Sequence, residues 1–131
     1  MYLFSVALTA CSDGLATVNY GDVVKFPNIK SNYGLQNMTL FKQTGIFSCE
    51  QKGLYMFFSS MMSTSEDGYF KWYLNNSNSL SDVYVGYQTQ YQSGSGMVAL
   101  ELAVGDTVSL KSLRSNILVD KFSCYTLIKI K

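Results

Sequence analysis

Leu54-Tyr55-Met56-Phe57-Phe58 is the most apolar stretch of the chain, and Gly53 immediately before it marks a turn. Apolar side chains at every position predict a central β-strand covered on both faces. Outward from it, short period-two segments alternate with turn signals. Phe4, Val6 and Leu8 alternate with Ser5, Ala7 and Thr9, giving a first strand; further strands are predicted around 15–18, 23–26, 46–49, 69–74, 83–90, 97–102, 107–110 and 122–131. Pro27 stops one of them, because it cannot donate to a ladder. Ser12-Asp13-Gly14, Tyr20-Gly21-Asp22, Asn75-Asn76-Ser77-Asn78-Ser79 and Gly105-Asp106 read as turns, and residues 29–40, 63–68, 92–96 and 111–121 as irregular or loop segments. No window of helical length holds a three-to-four residue apolar period. About ten short strands at roughly 8 to 12 residue spacing predict one all-β domain over residues 1–131, a ten-stranded sandwich or jelly roll.

Composition narrows the chemistry. The 131 residues include 10 Lys plus Arg, 9 Asp plus Glu and no His, for a net charge of +1. A chain of this size buries roughly two-thirds of the surface its unfolded form exposes, so it needs no metal or disulfide staple. Near-zero charge without a basic run argues against nucleic acid or acidic bilayers as partners. Without histidine there is no His-based triad, His metal ligand or imidazole switch near neutral pH. No G-x-S-x-G elbow occurs, Cys49 has no partner base, and the adjacent Glu66 and Asp67 are not spaced as an acid–base pair, so the expectation is a non-enzyme. The opening MYLFSVALTAC ends like a lipoprotein cleavage box, but no Lys or Arg precedes the apolar run, and its alternation reads as a strand. Any export signal is expected to be already removed, and no segment reaches the ~18 apolar residues of a membrane span. Cys11, Cys49 and Cys124 allow at most one internal pair. They are read as buried small hydrophobes or, alternatively, as a Cys49–Cys124 bridge with Cys11 left over.

Five residues separate Phe26 from Asn32, six separate Leu40 from Phe47, and five separate Phe47 from Gly53-Leu54-Tyr55-Met56-Phe57. This spacing resembles that of the globular head of complement C1q, within the C1q and tumour-necrosis-factor jelly-roll superfamily. Ser93-Gly94-Ser95-Gly96-Met97-Val98-Ala99-Leu100, the segment from Leu102 to Leu110, and Phe122-Ser123-Cys124-Tyr125-Thr126-Leu127-Ile128 resemble the family's late strands. Two departures stand out: the spacer between Asn32 and Leu40 is longer than the family's by about three residues, and Ser59 occupies an aromatic position. With no Gly-x-y repeat ahead of the domain, the chain looks like the head-only type common among secreted invertebrate members.

The resemblance implies a secreted, extracellular homotrimer whose loops opposite the termini recognise ligands. Tyr55, Phe57, Tyr125 and Leu127 are the candidates for the trimer interface, with ordinary core as the competing reading. The recognition loops are expected at residues 11–14, 63–68, 91–96 and 112–120, with Asp13, Glu66, Asp67, Tyr69, Tyr91, Ser93, Arg114 and Asp120 as candidate ligand-binding residues. Tyr87 is a further apolar platform there, and Trp72 is more simply core. Serine, glycine, asparagine and aspartate beside tyrosine suit sugar hydroxyls or microbial surface polymers. A charged ligand would depend on Lys111 and Arg114. No cofactor is expected. Some relatives bind calcium before the Ser-Gly strand, but Gln88, Gln90 and Gln92 supply no carboxylates there, leaving Asp13, Glu66, Asp67 and Asp120 as weaker donors. Asn37-Met38-Thr39 and Asn75-Asn76-Ser77 are glycosylation acceptor triplets. The leading expectation is a pattern-recognition protein of innate immunity; the alternatives are a cytokine- or adipokine-like trimer that binds a cell-surface receptor, and a structural extracellular oligomer.

Overall fold

The computed structural model describes residues 4–14, 16–63, 67–86 and 92–131. They form β1 (Ala7–Cys11), β2 (Ala16–Val18), β3 (Asn28–Tyr33), α1 (Thr39–Thr44), β4 (Phe47–Ser48), β5 (Gly53–Ser63), β6 (Gly68–Leu74), β7 (Asn78–Gly86), β8 (Gln92–Leu102), β9 (Thr107–Ser112), β10 (Ile117–Val119) and β11 (Cys124–Lys129). A five-stranded sheet in the order β3-β1-β11-β5-β8 faces a four-stranded sheet in the order β4-β9-β6-β7, and β2 pairs with β10 in a small ribbon. Every pairing is antiparallel. The expected jelly-roll sandwich is therefore present, with eleven strands among the described residues rather than ten.

β5 sets the layers. Its buried positions are Tyr55, Phe57, Ser59, Met61 and Ser63, whereas Met56, Phe58, Ser60 and Met62 point away from the core. Tyr125 and Leu127 on β11 lie opposite Ser59 and Phe57 and share the inward face. From the second sheet, Phe70, Trp72, Val108 and Leu110 complete the core. The Phe57 ring centroid is 5.6 Å from that of Phe47, 5.9 Å from Trp72 and 6.2 Å from both Tyr55 and Tyr125. Tyr125 in turn packs against Trp72 at 5.3 Å, Phe26 at 5.3 Å and Phe41 at 5.1 Å. The serine at position 59, where the family pattern has an aromatic, leaves room for the Tyr125 ring directly opposite.

This packing corrects the expected interface. Tyr55, Phe57, Tyr125 and Leu127 are each 0% exposed. They occupy the inward parity of their strands, so none has surface left to offer a second subunit.

Further segments differ from the sequence reading: the strand expected at 23–26 is reduced to a bridge from Val23 to Lys111, whereas β3 and β10 form largely within stretches read as irregular or loop. Residues 92–96 belong to β8 and are not a loop; their glycines serve packing. At Gly94 an added Cβ would sit 2.2 Å from the Tyr84 carbonyl oxygen, and at Gly96 2.7 Å from that of Asp82. The backbone of β7 thus crosses against β8 and closes one edge of the sandwich, where only glycine fits. At the opposite edge, α1 links β3 to β4 and inserts Phe41, its buried residue, into the aromatic core. Six residues are too few to show a helical period, which is why the helix is not legible in the sequence.

The disulfide joins Cys11 to Cys124, and Cys49 is free and buried. Cys49 is thus the buried small side chain of the first reading, whereas Cys11 and Cys124 are bridged, and the alternative Cys49–Cys124 pairing is not formed. Cys49 follows β4, where its N–H donates to the Asp106 carbonyl and its thiol to that of Gln51, while Cys124 begins β11 at the other end of the sandwich. Cys11 and Cys124 are directly opposite on adjacent strands. The bridge closes a loop with a sequence separation of 113 residues, which in a chain-entropy account contributes about 4 to 5 kcal/mol.

Replacing Gly96 with alanine is expected to cost about 1–3 kcal/mol in urea unfolding, because β7 must move away from β8. An unchanged midpoint would show that the two strands do not depend on that close approach.

Candidate functional site

The strand register brings several strand ends together. Cys11 pairs with Cys124, Cys124 with Ser60, and Met62 with Ser93, so the ends of β1 and β5 and the starts of β8 and β11 lie at one end; residues 64–66 and 87–91 lie outside the described residues. In the second sheet, Gly68 pairs with Gly86 and Phe70 with Ser112, bringing the start of β6 and the ends of β7 and β9 to the same end. Ala7, Ile128 and Tyr55 mark the other end.

Three of the candidate residues meet there. The Arg114 Nε donates to Asp67 Oδ2 at 2.7 Å, and the Tyr84 hydroxyl donates to Asp67 Oδ1 at 2.8 Å. Beneath the pair, the Tyr69 ring centroid lies 5.0 Å from the Arg114 guanidinium carbon and 5.7 Å from the Tyr84 ring, which it meets edge-on. Local structure holds each part. Asp67 adopts φ 59°, a left-handed conformation that Asp tolerates, and its N–H donates to the Gly86 carbonyl. The Leu113 N–H donates to the Tyr69 carbonyl, and the Ser112 hydroxyl donates to the Arg114 carbonyl, so the loop after β9 is tied to β6. Tyr84 is not among the residues that the sequence reading singles out. Val83-Tyr84-Val85 carries the signal: with both valines inward, the tyrosine must face out, opposite Tyr69.

Arg114, followed by the Tyr84 hydroxyl, holds the Asp67 carboxyl below the usual carboxylate range. The same contacts push Tyr84 and Arg114 upward. Asp67 is therefore an anion at neutral pH, already paired, and poorly placed to give up a proton as a general acid. The group offers ring faces, a hydroxyl and the remaining guanidinium N–H groups, which suits binding to neutral polar groups.

The other candidates lie elsewhere. Asp13 follows β1, and Asp120 stands before β11, where its Oδ1 accepts the Phe122 N–H. The Asp120 N–H donates to the Met62 carbonyl, and Ser12 N–H to that of Ser123, so these loops form a second group at the same end. Ser93 faces outward on β8, opposite Met62. Glu66, Tyr87, Gln88, Gln90 and Tyr91 lie outside the described residues. Trp72 is in the core at 0% exposure. Lys111 does not join Arg114: its Nζ lies 4.7 Å from the Tyr73 ring centroid and donates to the Asn76 carbonyl. For calcium the described donors fit poorly. Both Asp67 oxygens are engaged, and no three Asp, Glu or Cys side chains converge among the described residues.

The sequence of residues 3–127 matches the C1q domain family. The chain belongs to that family. In structure, the domain is similar to the globular domain of zebrafish complement 1qA protein, with a TM-score of 0.79 at 18% identity over 96% of this chain and 98% of that one. Murine APRIL gives 0.69 at 14% identity over 95% and 98%, and the Eiger TNF of S. frugiperda 0.71 at 15% over 99% and 94%. At these identities the likeness concerns the fold. No curated protein sequence matches the chain. C1q and TNF-like domains are generally binding and signalling modules and commonly form homotrimers.

The ion pair sets a pH response. Because the Asp67 pKa is lowered in the folded state, the pair's contribution is present above the unfolded value and is lost as pH falls through the lowered one. A carboxyl-resolved NMR titration should place the Asp67 midpoint below that of the acid-unfolded chain, and Arg114→Ala should raise it. Asp67→Asn should let Tyr84 ionise at lower pH than in the parent; an unmoved tyrosine titration would show that the hydrogen bond is not formed in solution.

Proposed function

We propose that this C1q domain is a secreted, extracellular, homotrimeric recognition head of innate immunity that binds carbohydrate or microbial surface polymers. The observation that carries the reading is the convergence of Asp67, Tyr69, Tyr84 and Arg114 at the end away from Ala7 and Lys129. Tyr84 is 53% exposed, and the charges of the group cancel within it. A neutral, tyrosine-rich surface recognises hydroxyl-bearing ligands through stacking and hydrogen bonds, and it lacks a strong field to attract polyanions. Extracellular placement is supported by the Cys11–Cys124 disulfide, since such bridges persist in oxidising compartments. No helix among the described residues is long and apolar enough to cross a membrane.

The outward face of the five-stranded sheet supports assembly with two further copies. On β5 and β8 it carries Met56, Phe58, Met62, Met97 and Ala99, and on β11 Thr126 and Ile128. Phe58 is 40% exposed and Met97 54%. Glu101 is the one charged residue among the outward positions of these three strands. The other sheet's outward face, by contrast, carries Lys71, Asp82 and Lys111. A stable partner interface buries about 800 Å² per subunit and is depleted of charge at its centre, as the first of these faces is. The interface residues are thus Phe58 and Met97, one position out of phase with those expected from the sequence.

Sedimentation of the purified domain should give a trimer, and Phe58→Glu with Met97→Glu should give a folded monomer. A parent monomer at micromolar concentration would remove the trimeric reading.

On an array of glycans and bacterial surface polymers, the parent should bind in a manner blocked by free sugar. Tyr84→Ala or Arg114→Ala should weaken binding about tenfold or more. An array without binding, together with capture by a host cell receptor, would favour the TNF-like signalling alternative; neither binding nor capture would leave the structural oligomer.

A further inference from the structure

We infer that Asn37 is an N-glycan attachment site and that Asn75, the other acceptor triplet, is taken up by the fold. The inference rests on the extracellular reading above for its relevance in the source cell.

The two asparagines are held differently. At the β6–β7 turn, Asn75 has φ 52° and both ends of its side-chain amide are in use. Its Nδ2 donates to Asp106 Oδ1 at 3.2 Å, and its Oδ1 accepts the Thr107 N–H at 2.9 Å. Its own backbone N–H donates to the Thr107 carbonyl at 2.8 Å. These bonds pin the hairpin turn against the turn between β8 and β9, in the space a sugar on Nδ2 would need.

Asn37 lies in the segment between β3 and α1 and is exposed, as is Thr39. Its Oδ1 accepts the Thr39 N–H at 3.1 Å, and its backbone N–H donates to Glu50 Oε2 at 3.2 Å. With the carbonyl end of the amide turned back onto the triplet itself, the Nδ2 end is directed away from it, and no hydrogen bond among the described residues uses that nitrogen. The threonine that the acceptor motif requires opens α1. The bond that shapes this triplet is local, spanning two residues, so it can form before the sandwich closes. The segment sits at the β3–β4 edge, beside Glu50. A glycan there avoids both the Tyr84–Arg114 group and the Phe58–Met97 face, and it covers an edge that would otherwise invite strand pairing.

The transfer needs an oligosaccharide linked through its anomeric carbon to a lipid diphosphate. The bond from Nδ2 to that carbon forms as the carbon–oxygen bond to the diphosphate breaks. The bonding pair leaves with the diphosphate, and the amide gives up one proton.

The test is to secrete the whole chain from a eukaryotic cell behind an added cleavable leader and map glycans by mass spectrometry of its peptides, before and after enzymatic removal of N-glycans. Asn37 should be occupied in most molecules and Asn75 in few. Thr39→Ala and N37Q should each abolish the major glycan, and Ser77→Ala, which keeps the Asn75 amide bonds, should leave it unchanged. A secreted, disulfide-bonded chain with bare Asn37, or with Asn75 occupied as fully as Asn37, overturns the inference. Since the leader is supplied, this outcome is independent of whether the native chain is exported, and the glycan array decides the recognition reading separately.

Discussion

The aromatic contact set around Phe57 is the constraint on which the molecule depends. A strand has only two faces, and the packing of Phe57 between Phe47, Trp72 and Tyr125 fixes which face of β5 is inside. Once Tyr55, Phe57 and Met61 are inward, Met56, Phe58 and Met62 have no alternative to the outer surface. A one-residue slip against β11 or β8 would put Phe58 in the core and Phe57 in water, exchanging a buried aromatic cluster for an exposed one. The same choice therefore makes both the core and the apolar outer face, which is why a strand apolar on both sides is not in itself evidence of a fully buried strand.

That distinction marks where the sequence is readable. The jelly roll and its longer strands follow from alternation, turn residues and aromatic spacing, but β3 and β10 do not, and the alternation at 23–26 yields only the Val23–Lys111 bridge. The phase of β5 does not, because Leu54-Tyr55-Met56-Phe57-Phe58 is apolar at every position and gives no local clue to which residues face in. The second sheet, not the strand, decides. The small polar run Gln92-Ser93-Gly94-Ser95-Gly96 has the composition of a loop for a related reason. Its glycines answer to the β7 backbone crossing at Tyr84 and Asp82, a contact invisible in β8 alone. The disulfide partner depends on the first and last strands lying side by side, a pairing across 113 residues.

The candidate site is legible in parts. Asp67 and Tyr69 flank the start of β6 and can be placed on one loop. Arg114, 47 residues later, reads only as a loop cation, and its partner emerges from the β6–β9 pairing that ends at Phe70 and Ser112. Tyr84 requires the phase of β7. The group is thus a product of three strand ends, and it is rigid for a loop site because two backbone ties, Asp67 to Gly86 and Leu113 to Tyr69, hold its loops to the sheet. Such fixing lowers the ordering cost of binding, which matters most for ligands that contribute only a few hydrogen bonds each.

Charge distribution gives the separate surfaces a common cause. A net charge of +1 could arise from an evenly mixed surface, yet here the outward positions of the neighbouring strands β5, β8 and β11 are poor in charge, while Lys30 stands on the edge strand β3. Lys71 pairs with Asp82, and Arg114 with Asp67, on or beside the four-stranded sheet, while the outward positions of β5, β8 and β11 hold Glu101 as their one charge. Moving a charge into a subunit interface requires stripping its water, so a face meant to be covered loses charges and a face meant to stay wet can keep them in pairs. Within the Asp67–Arg114 group the two charges cancel. On the recognition reading proposed above, binding there would come from the geometry of tyrosines and hydroxyl groups, with no histidine to titrate between pH 5 and 8. Recognition by such weak, neutral contacts would gain most from repetition, and three copies held by the charge-poor face would present three such groups at one end, converting modest single-site affinity into avidity for a repeating surface polymer.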